Sequence, residues 1–293
     1  MIPVRGIPWR SRLAAAVIEK SPDWGTLAAS RAMGAAARVR IPRPLGRAAI
    51  AAYIKVFAVD MADVDPVSVD RGFDSFDEFF TRPLRAGARP VAREGRAIVS
   101  PSDGLIRDIV ELDEDARVHA KGHSYELAEL IADDELARDF VGGTATTIYL
   151  HPRDYHRVHS PCDALVSRVK LVPGRLLPVN DAALARAPGL FAINERMVHI
   201  LETAHGKMVV VMIAAFGVGH MTCSYRHIDP HPRAARQIEC DPPARMRKAD
   251  ELGIFHLGST VVLVAERGVT PVACELPAKV KMGQVILQGN GER

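Results

Sequence analysis

The sequence predicts an α+β fold in which N-terminal amphipathic helices precede a predominantly antiparallel β core. First, residues 1–60 are rich in Ala and Arg and place apolar side chains at helical spacing. Second, from about residue 95 onward, short apolar runs alternate with Pro and Gly turn signals, which is typical of a β domain with short strands. Third, a chain of 293 residues with 48% hydrophobic and 25% charged residues is able to form a substantial core.

The N-terminal region combines helical periodicity with a strong basic excess. Ile50, Ile54, Phe57 and Met61 recur at the spacing of one helix face. Residues 1–60 hold ten Lys or Arg residues against three Asp or Glu residues, a net charge of +7, whereas the whole chain carries +3. Such a segment predicts an anionic partner, either a membrane surface or nucleic acid. The helices have two open interpretations: an amphipathic region at a membrane interface, or a layer packed on the protein's own core.

A Phe-rich segment separates this region from the β core. The four phenylalanines in residues 73–80 predict a short helix, which the Pro- and Gly-containing stretch 82–90 ends. The strands predicted from apolar runs are 97–99, 146–150, 166–172, 197–201, 208–215, 261–265 and 280–287. One further helix is predicted to interrupt them over 125–131.

Cysteine usage and hydropathy indicate where the protein works. Cys162, Cys223, Cys240 and Cys274 form no CxxC pair, which predicts reduced thiols. Residues 1–20 lack the compact apolar block of a secretory signal. The longest apolar stretch, 208–218, is too short to cross a bilayer as a helix. We therefore expect a protein that is cytosolic or lies on a membrane face.

The most informative motif is Leu257-Gly258-Ser259-Thr260, which the apolar run 261–264 follows directly. Gly258 has no Cβ, so its backbone is free to adopt a strained turn. Ser259 places a hydroxyl beside the carbonyl carbon of that glycine, and a buried strand behind it would hold the serine in place. Such a hydroxyl can attack the carbonyl if a base takes its proton and the oxyanion is stabilised. An ordinary turn leading into a strand is the alternative.

Two other segments carry reactive side chains. The run Ser100-Pro101-Ser102-Asp103-Gly104 has one carboxylate at its centre, although an Asp that bonds its own backbone in a turn is the simpler interpretation. The second segment places three imidazoles within nine residues, at His151, His156 and His159. Such a cluster indicates function more often than structure.

The three histidines allow two kinds of chemistry. His156 and His159 are three residues apart, a spacing that zinc sites use on one face of a helix. Pro152 and Pro161 bracket the segment, however, which argues against a long helix. A nucleophilic site needs only one Asp, one His and one Ser: the Asp orients the imidazole, the His takes the proton and the Ser attacks.

Taken together, the three motifs resemble those of the pyruvoyl-dependent phosphatidylserine decarboxylase proenzymes, of the bacterial type cleaved at Leu-Gly-Ser-Thr. The resemblance covers most of the chain from about residue 70 onward, in the same order. Further matching segments are 79–84, 121–127, 174–180, 191–196 and 251–253. Two residues depart from the family pattern: His151 stands where a small residue is frequent, and His256 is an unusual neighbour for the cleavage site.

The resemblance implies that the precursor cuts itself between Gly258 and Ser259. His159, oriented by Asp103, would deprotonate Ser259, whose oxygen would attack the Gly258 carbonyl. Elimination from the resulting ester would convert Ser259 into a pyruvoyl group, with loss of ammonia. The products would be a β chain of residues 1–258 and an α chain of residues 259–293, which remain together as a heterodimer.

The resemblance also implies the reaction and its setting. The pyruvoyl cofactor at Ser259 would form a Schiff base with phosphatidylserine and accept the electron pair released with CO₂, yielding phosphatidylethanolamine in phospholipid biosynthesis. His156 is the candidate for proton handling in this step. Residues 1–70 would form a basic helical region on an anionic membrane surface, and residues 71–293 the catalytic domain. We expect no nucleic-acid partner, no metal, and a peripheral location on the cytoplasmic side of the cell membrane.

Two alternatives from other functional classes stay open at this point. One is a zinc-dependent hydrolase that uses His151, His156 and His159. The other is a membrane-binding module without catalysis, in which Gly258 and Ser259 form only a turn.

Overall fold

The computed structural model of the chain describes residues 23–120, 123–184, 187, 189–217, 220–229 and 231–289. Its helices are α1 (Asp23–Arg38), α2 (Arg43–Phe57), α3 (Pro66–Arg71), α4 (Phe76–Phe80), α5 (Leu127–Ile131), α6 (Asp134–Arg138), α7 (Asp181–Leu184) and α8 (Leu190–Ile193). Its strands are β1 (Ala97–Val99), β2 (Gly104–Glu111), β3 (Arg117–Ala120), β4 (His123–Glu126), β5 (Thr144–Leu150), β6 (Arg157–His159), β7 (Ala164–Val172), β8 (Arg196–Thr203), β9 (Gly206–Ala214), β10 (His220–Cys223), β11 (Arg236–Met246), β12 (Glu251–His256), β13 (Ser259–Ala265), β14 (Thr270–Pro271), β15 (Ala278–Val280) and β16 (Val285–Gln288). The predicted α+β class is confirmed: helices at the N-terminal side precede a mostly antiparallel β core.

One eight-stranded sheet forms the centre of the molecule, in the order β11-β7-β8-β9-β13-β5-β2-β15. Its neighbouring strands pair antiparallel. β13 lies between β9 and β5, and its residues 261–265 are fully buried. A run of five apolar residues suits this position because both faces of the strand are covered. The predicted buried strand behind Ser259 is therefore confirmed.

Smaller sheets flank the central one. β10, β12 and β6 form a three-stranded antiparallel sheet, and β1, β16 and β14 form another. β3 and β4 make a two-stranded ribbon. β12 and β13 are consecutive in sequence but belong to different sheets, so Leu257 and Gly258 form the connection between two sheets.

The helical layer has well-defined ends and its own small core. Asp65 accepts a hydrogen bond from the Ser68 amide at the start of α3, and Ser75 accepts one from the Glu78 amide at the start of α4. The apolar face of α2 packs on α4, where Ile50 and Phe79 are buried. This face therefore packs on the protein's own core, as one of the two interpretations proposed.

The opposite surface of the helices remains exposed, and the first 22 residues of the basic region lie outside the described residues. Of the helices described, none combines the length and hydrophobicity that crossing a bilayer requires.

Several boundaries differ from those that the sequence predicts. Tyr125 belongs to β4, so the helix predicted over 125–131 begins only at Leu127. The run 280–287 is two strands, because Gly283 turns the chain at φ 88° and a Cβ there would lie 2.7 Å from the Pro90 carbonyl oxygen. Strands β2, β3, β4, β6, β10, β11, β12 and β14 were not predicted as strands. The four cysteines are free.

Candidate functional site

The connection between β12 and β13 has an unusual backbone. Leu257 has φ 85° and Gly258 has φ 36°. Two successive residues therefore have positive φ, and the first of them is not a glycine. A leucine at positive φ carries strain, roughly 1–3 kcal/mol. A Cβ added at Gly258 would meet no atom within 4 Å, so the turn projects into open space. The motif thus forms the strained turn that the sequence predicts for Gly258.

The strand after the turn is fixed on both sides. Ser259 is paired with Leu150 of β5 and with Ala214 of β9. The register places His151, the residue after Leu150, beside the turn at Leu257 and Gly258. The histidine segment and the Leu-Gly-Ser-Thr motif at 257–260, about one hundred residues apart in sequence, therefore meet at one end of the central strands β5 and β13.

His156 is fully buried and directly precedes β6, the strand that contains His159. Its ring packs against Phe80 with 4.2 Å between centroids and 45° between the ring planes, and its Nδ1 lies 2.9 Å from the Asp154 carbonyl oxygen. A carbonyl only accepts, so Nδ1 carries the proton and Nε2 has a free lone pair. Nε2 has no hydrogen-bond partner among the described residues. Burial lowers the pKa of His156 to about 3, so the imidazole is neutral at neutral pH.

His159 lies three residues further along β6 and is held at both ring nitrogens. Nδ1 is 2.8 Å from the Ala249 carbonyl oxygen, and Nε2 is 3.1 Å from the Tyr155 hydroxyl. By the same reasoning Nδ1 donates, and the Tyr155 hydroxyl donates to Nε2. Burial lowers the pKa of His159, so it too is neutral and carries its lone pair on Nε2.

The pairing of β6 with β12 shows which of the two histidines lies nearer to Gly258 along β12. The His156 carbonyl accepts the Phe255 amide, three residues before Gly258. His159 is paired with Glu251, seven residues before Gly258. His156 is therefore the nearer of the two along β12, an order that the motif alone does not reveal.

Asp103 sits in a polar cluster at the start of β2. Arg89 donates to it through Nε at 2.8 Å and Nη2 at 2.6 Å, and the Met282 amide donates at 2.9 Å. Arg89 also donates to Asp63 at 2.6 Å, which lowers the pKa of the Asp63 carboxyl. In the structure Asp103 bonds to Arg89, and His159 bonds to Tyr155 and to the Ala249 carbonyl oxygen, so the orientation of His159 by Asp103 stays a prediction.

Residues from several of these segments line a cavity of about 550 Å³. Asp103 and Tyr155 line it, and so do Tyr149 and His151, which flank the register partner of Ser259. Gly104 lies at its wall, where a Cβ would approach the Tyr149 carbonyl oxygen to 2.6 Å. The cavity also presents basic side chains, namely Arg82, Arg89, Arg153, Lys279 and Lys281. Charges of both signs therefore meet in this cavity.

The zinc alternative gains no support from this geometry. His156 faces Phe80, His159 is engaged at both nitrogens, and Nδ1 of His151 accepts the Arg153 amide at 3.4 Å. Within the described part of the chain, no group of three or more His, Cys, Asp or Glu side chains is arranged to hold a metal ion.

Sequence reasoning missed the partners of the candidate residues. Arg89 lies in the stretch 82–90, which the sequence marks only as a helix terminator. Tyr155 is visible within the histidine motif, but its bond to His159 depends on the fold. Met282 contributes its backbone amide, and no side-chain pattern identifies such a donor.

Comparisons with known proteins agree with this description. The family model for phosphatidylserine decarboxylase matches residues 76–288. A phosphatidylserine decarboxylase proenzyme of Anaeromyxobacter sp. (strain K) is 41% identical over 245 residues, which cover 82% of this chain and 86% of that protein. Proenzymes of the same name from Myxococcus xanthus (strain DK1622) and Acidovorax ebreus (strain TPSY) are 38% and 42% identical, covering 82% and 76% of this chain and 85% and 80% of theirs.

Proposed function

Because the chain belongs to the phosphatidylserine decarboxylase family, we propose that it makes its own pyruvoyl group at Ser259 and uses it to convert phosphatidylserine into phosphatidylethanolamine and CO₂. The enzyme is a decarboxylase, a lyase of phospholipid biosynthesis. The observation that carries the self-processing proposal is the left-handed backbone at Leu257 and Gly258, directly before a serine whose strand is paired on both sides.

The cleavage step is an attack of the Ser259 hydroxyl oxygen on the Gly258 carbonyl carbon. The peptide C–N bond breaks as the ester C–O bond forms, which releases the backbone strain stored in the turn. Elimination then breaks the bond between Cβ and Oγ of Ser259, and Gly258 leaves as a carboxylate. Water replaces the freed nitrogen, which departs as ammonia, and the ketone of the pyruvoyl group remains.

His159 is the proposed base for this attack, and His156 the proposed proton carrier in decarboxylation. Each is neutral, and each has its proton fixed on Nδ1 by a carbonyl oxygen, so the basic lone pair is on Nε2. Tyr155 connects His159 to the cavity that Asp103 also lines. Asp103 then acts through the charge balance of this cavity and through its bond to Arg89.

The surroundings suit a pyruvoyl group and a charged lipid head group. The group supplies an electrophilic ketone that captures an amine and takes up the electron pair released with CO₂. Two buried polar atoms that have no hydrogen-bond partner among the described residues lie in the segments that meet here, His156 Nε2 and Ser102 Oγ. The cavity's basic side chains would bind the phosphate and carboxylate of phosphatidylserine.

The helical layer is the proposed membrane contact. Six of the nine large apolar side chains that are exposed in the described residues lie in it: Met33, Val39, Leu45, Val56, Val67 and Val69. Leu45 and Val56 are eleven residues apart in α2, about three helical turns, and so share one stripe of the helix. Arg31, Arg40, Arg43 and Arg47 lie in the same layer and would attract anionic lipid.

We expect Leu45→Asp combined with Val56→Asp to weaken binding to anionic vesicles at least tenfold, because two apolar contacts are lost and two negative charges face the lipid. Vesicle co-sedimentation with phosphatidylglycerol-containing liposomes measures this. Leu165→Asp is the matched control, since Leu165 is 40% exposed on a strand of the central sheet. Equal binding by the double variant and the unmodified chain would contradict a membrane role for α2.

Intact mass spectrometry of freshly produced protein tests the processing proposal. We expect two chains, 1–258 and 259–293, with the smaller one lighter by one ammonia than a fragment that begins with serine. A single unbroken chain with an ordinary serine would refute the proposal and favour a module without catalysis.

A further inference from the structure

Two histidines outside the proposed catalytic set stack face to face next to the cleavage turn. His220 of β10 and His256 of β12 are direct cross-strand partners. Their ring centroids are 3.9 Å apart and their planes differ by 9°. His256 precedes Gly258 by two residues. The stack therefore lies at the end of the strand that enters the turn.

Opposite charges on two different helices hold the stack. Nδ1 of His256 is 2.9 Å from both carboxylate oxygens of Asp77 in α4. Nδ1 of His220 is 3.3 Å from Nη1 of Arg38 in α1. A carboxylate only accepts and a guanidinium only donates, so Nδ1 of His256 carries a proton and Nδ1 of His220 carries a lone pair. The row therefore runs from the Arg38 cation, through His220 as a neutral acceptor and His256 as a donor, to the Asp77 anion.

His256 is also fixed at its second nitrogen. The Thr222 hydroxyl lies 3.2 Å from Nε2. Asp77 is itself anchored, because its carbonyl oxygen accepts the Thr81 amide and hydroxyl at the end of α4. The last residue of β12 is consequently tied to the helical layer and to β10, and Leu257 at φ 85° follows it directly.

We propose that His256 and His220 are positioning residues for self-cleavage: the Arg38–His220–His256–Asp77 chain holds the end of β12 so that the strained turn at Leu257 and Gly258 is maintained. The inference rests on the proposed function, because it concerns the geometry of the bond that Ser259 attacks. The proposal also couples self-cleavage to the helical layer. Arg38 belongs to α1 and Asp77 to α4, so both helices must be packed in place for their hydrogen bonds to His220 and His256 to form.

The charges around the stack make it sensitive to acid. Arg38, Asp77, His256 and His231 face His220, and His231 is in turn paired with Glu195. Burial, followed by His256 and Arg38, lowers the pKa of His220 to about 4. Protonation would remove the acceptor for Arg38 and place positive charges side by side. The stack therefore keeps its full contribution above the unfolded histidine pKa of about 6.5 and loses it progressively as the pH falls toward about 4.

The test is a time course of self-cleavage by chains made in a cell-free system, resolved by denaturing electrophoresis. His256→Leu removes both ring hydrogen bonds, and we expect cleavage about tenfold slower, the loss expected for one charge-assisted hydrogen bond. His256→Asn keeps an N–H donor at the position of Nδ1 and should recover most of the rate. His227→Leu is the control, because the His227 side chain is 93% exposed and lies 3.7 Å from an exposed Asp229.

The pH profile separates positioning from simple loss of folding. The unmodified chain should cleave more slowly as the pH approaches the His220 pKa of about 4, and His220→Phe, which cannot be protonated, should lose the part of that dependence that His220 contributes. The inference is overturned if His256→Leu cleaves at the unmodified rate, if His256→Asn is as slow as His256→Leu, or if His220→Phe keeps the unmodified profile. An unmodified chain that never cleaves would overturn the proposed function and, with it, this inference.

Discussion

Replacing Ser259 with Ala is expected to leave one uncleaved chain of 293 residues with no decarboxylase activity. The methyl group cannot attack the Gly258 carbonyl, so neither the ester nor the ketone derived from it can form. β13 should remain in place, because its buried residues 261–265 and its pairing with β5 and β9 do not depend on the hydroxyl. Intact mass spectrometry and release of labelled CO₂ from phosphatidylserine measure the two losses together.

Thr260→Ala is the matched control for this experiment. Thr260 is the next hydroxyl residue, is fully buried and has no partner for its Oγ1, so its loss should leave cleavage within a few-fold of normal. His159→Ala and His156→Ala in the same assay identify the base: we expect the first to block cleavage and the second to spare it while slowing decarboxylation. Activity in the Ser259→Ala chain would disprove the pyruvoyl mechanism.

Arg89→Met should lower the free energy of unfolding by about 3 kcal/mol, the cost of removing one partner from a buried ion pair. Arg89 bonds to Asp63 and Asp103, and the side chains of Arg89 and Asp103 are only 8% and 11% exposed. Both carboxylates would lose their closest cationic partner, although little of either side chain reaches solvent. Urea unfolding in the Ser259→Ala background measures the change on a single covalent chain, without the complication of two dissociating subunits.

The same variant should have a different acid dependence. The hydrogen bond from Arg89 lowers the pKa of Asp63 in the folded state, so its stabilising contribution is complete above the unfolded Asp pKa of about 4 and is lost as the pH falls through the lower folded value. Arg89→Met should remove this part of the acid sensitivity. Arg71→Met is the control, because Arg71 and Glu78 form an exposed pair, whose loss costs at most about 1 kcal/mol. Equal effects of Arg89→Met and Arg71→Met on the free energy of unfolding would show that Arg89 and its two carboxylate partners are exposed to water.

Apolar runs predicted the most completely buried strands, such as β9 and β13, and missed several strands of mixed burial, such as β11 and β12. β13 and β9 are continuous apolar runs because they lie at the centre of the large sheet, covered on both faces. β11 carries two prolines and a register shift between Glu239 and Ala244, so its sequence does not resemble a strand. β12 is short and includes Gly253, which packs against the Thr222 carbonyl oxygen. Strands of this kind are specified by their neighbours more than by their own residues.

The amino-acid sequence by itself determined the reactive groups: a glycine and a serine before a buried strand, one carboxylate in a turn, and histidines three residues apart. These depend on local properties, namely backbone freedom at Gly258, side-chain chemistry and apolar periodicity. Only the tertiary structure decided which groups touch. Asp103 bonds to Arg89 instead of His159, His156 lies nearer than His159 along β12, and His220 stacks on His256. The physical reason is that hydrogen bonds and pKa values depend on distances of a few ångströms between segments up to about 180 residues apart, and sheet register and helix packing set those distances.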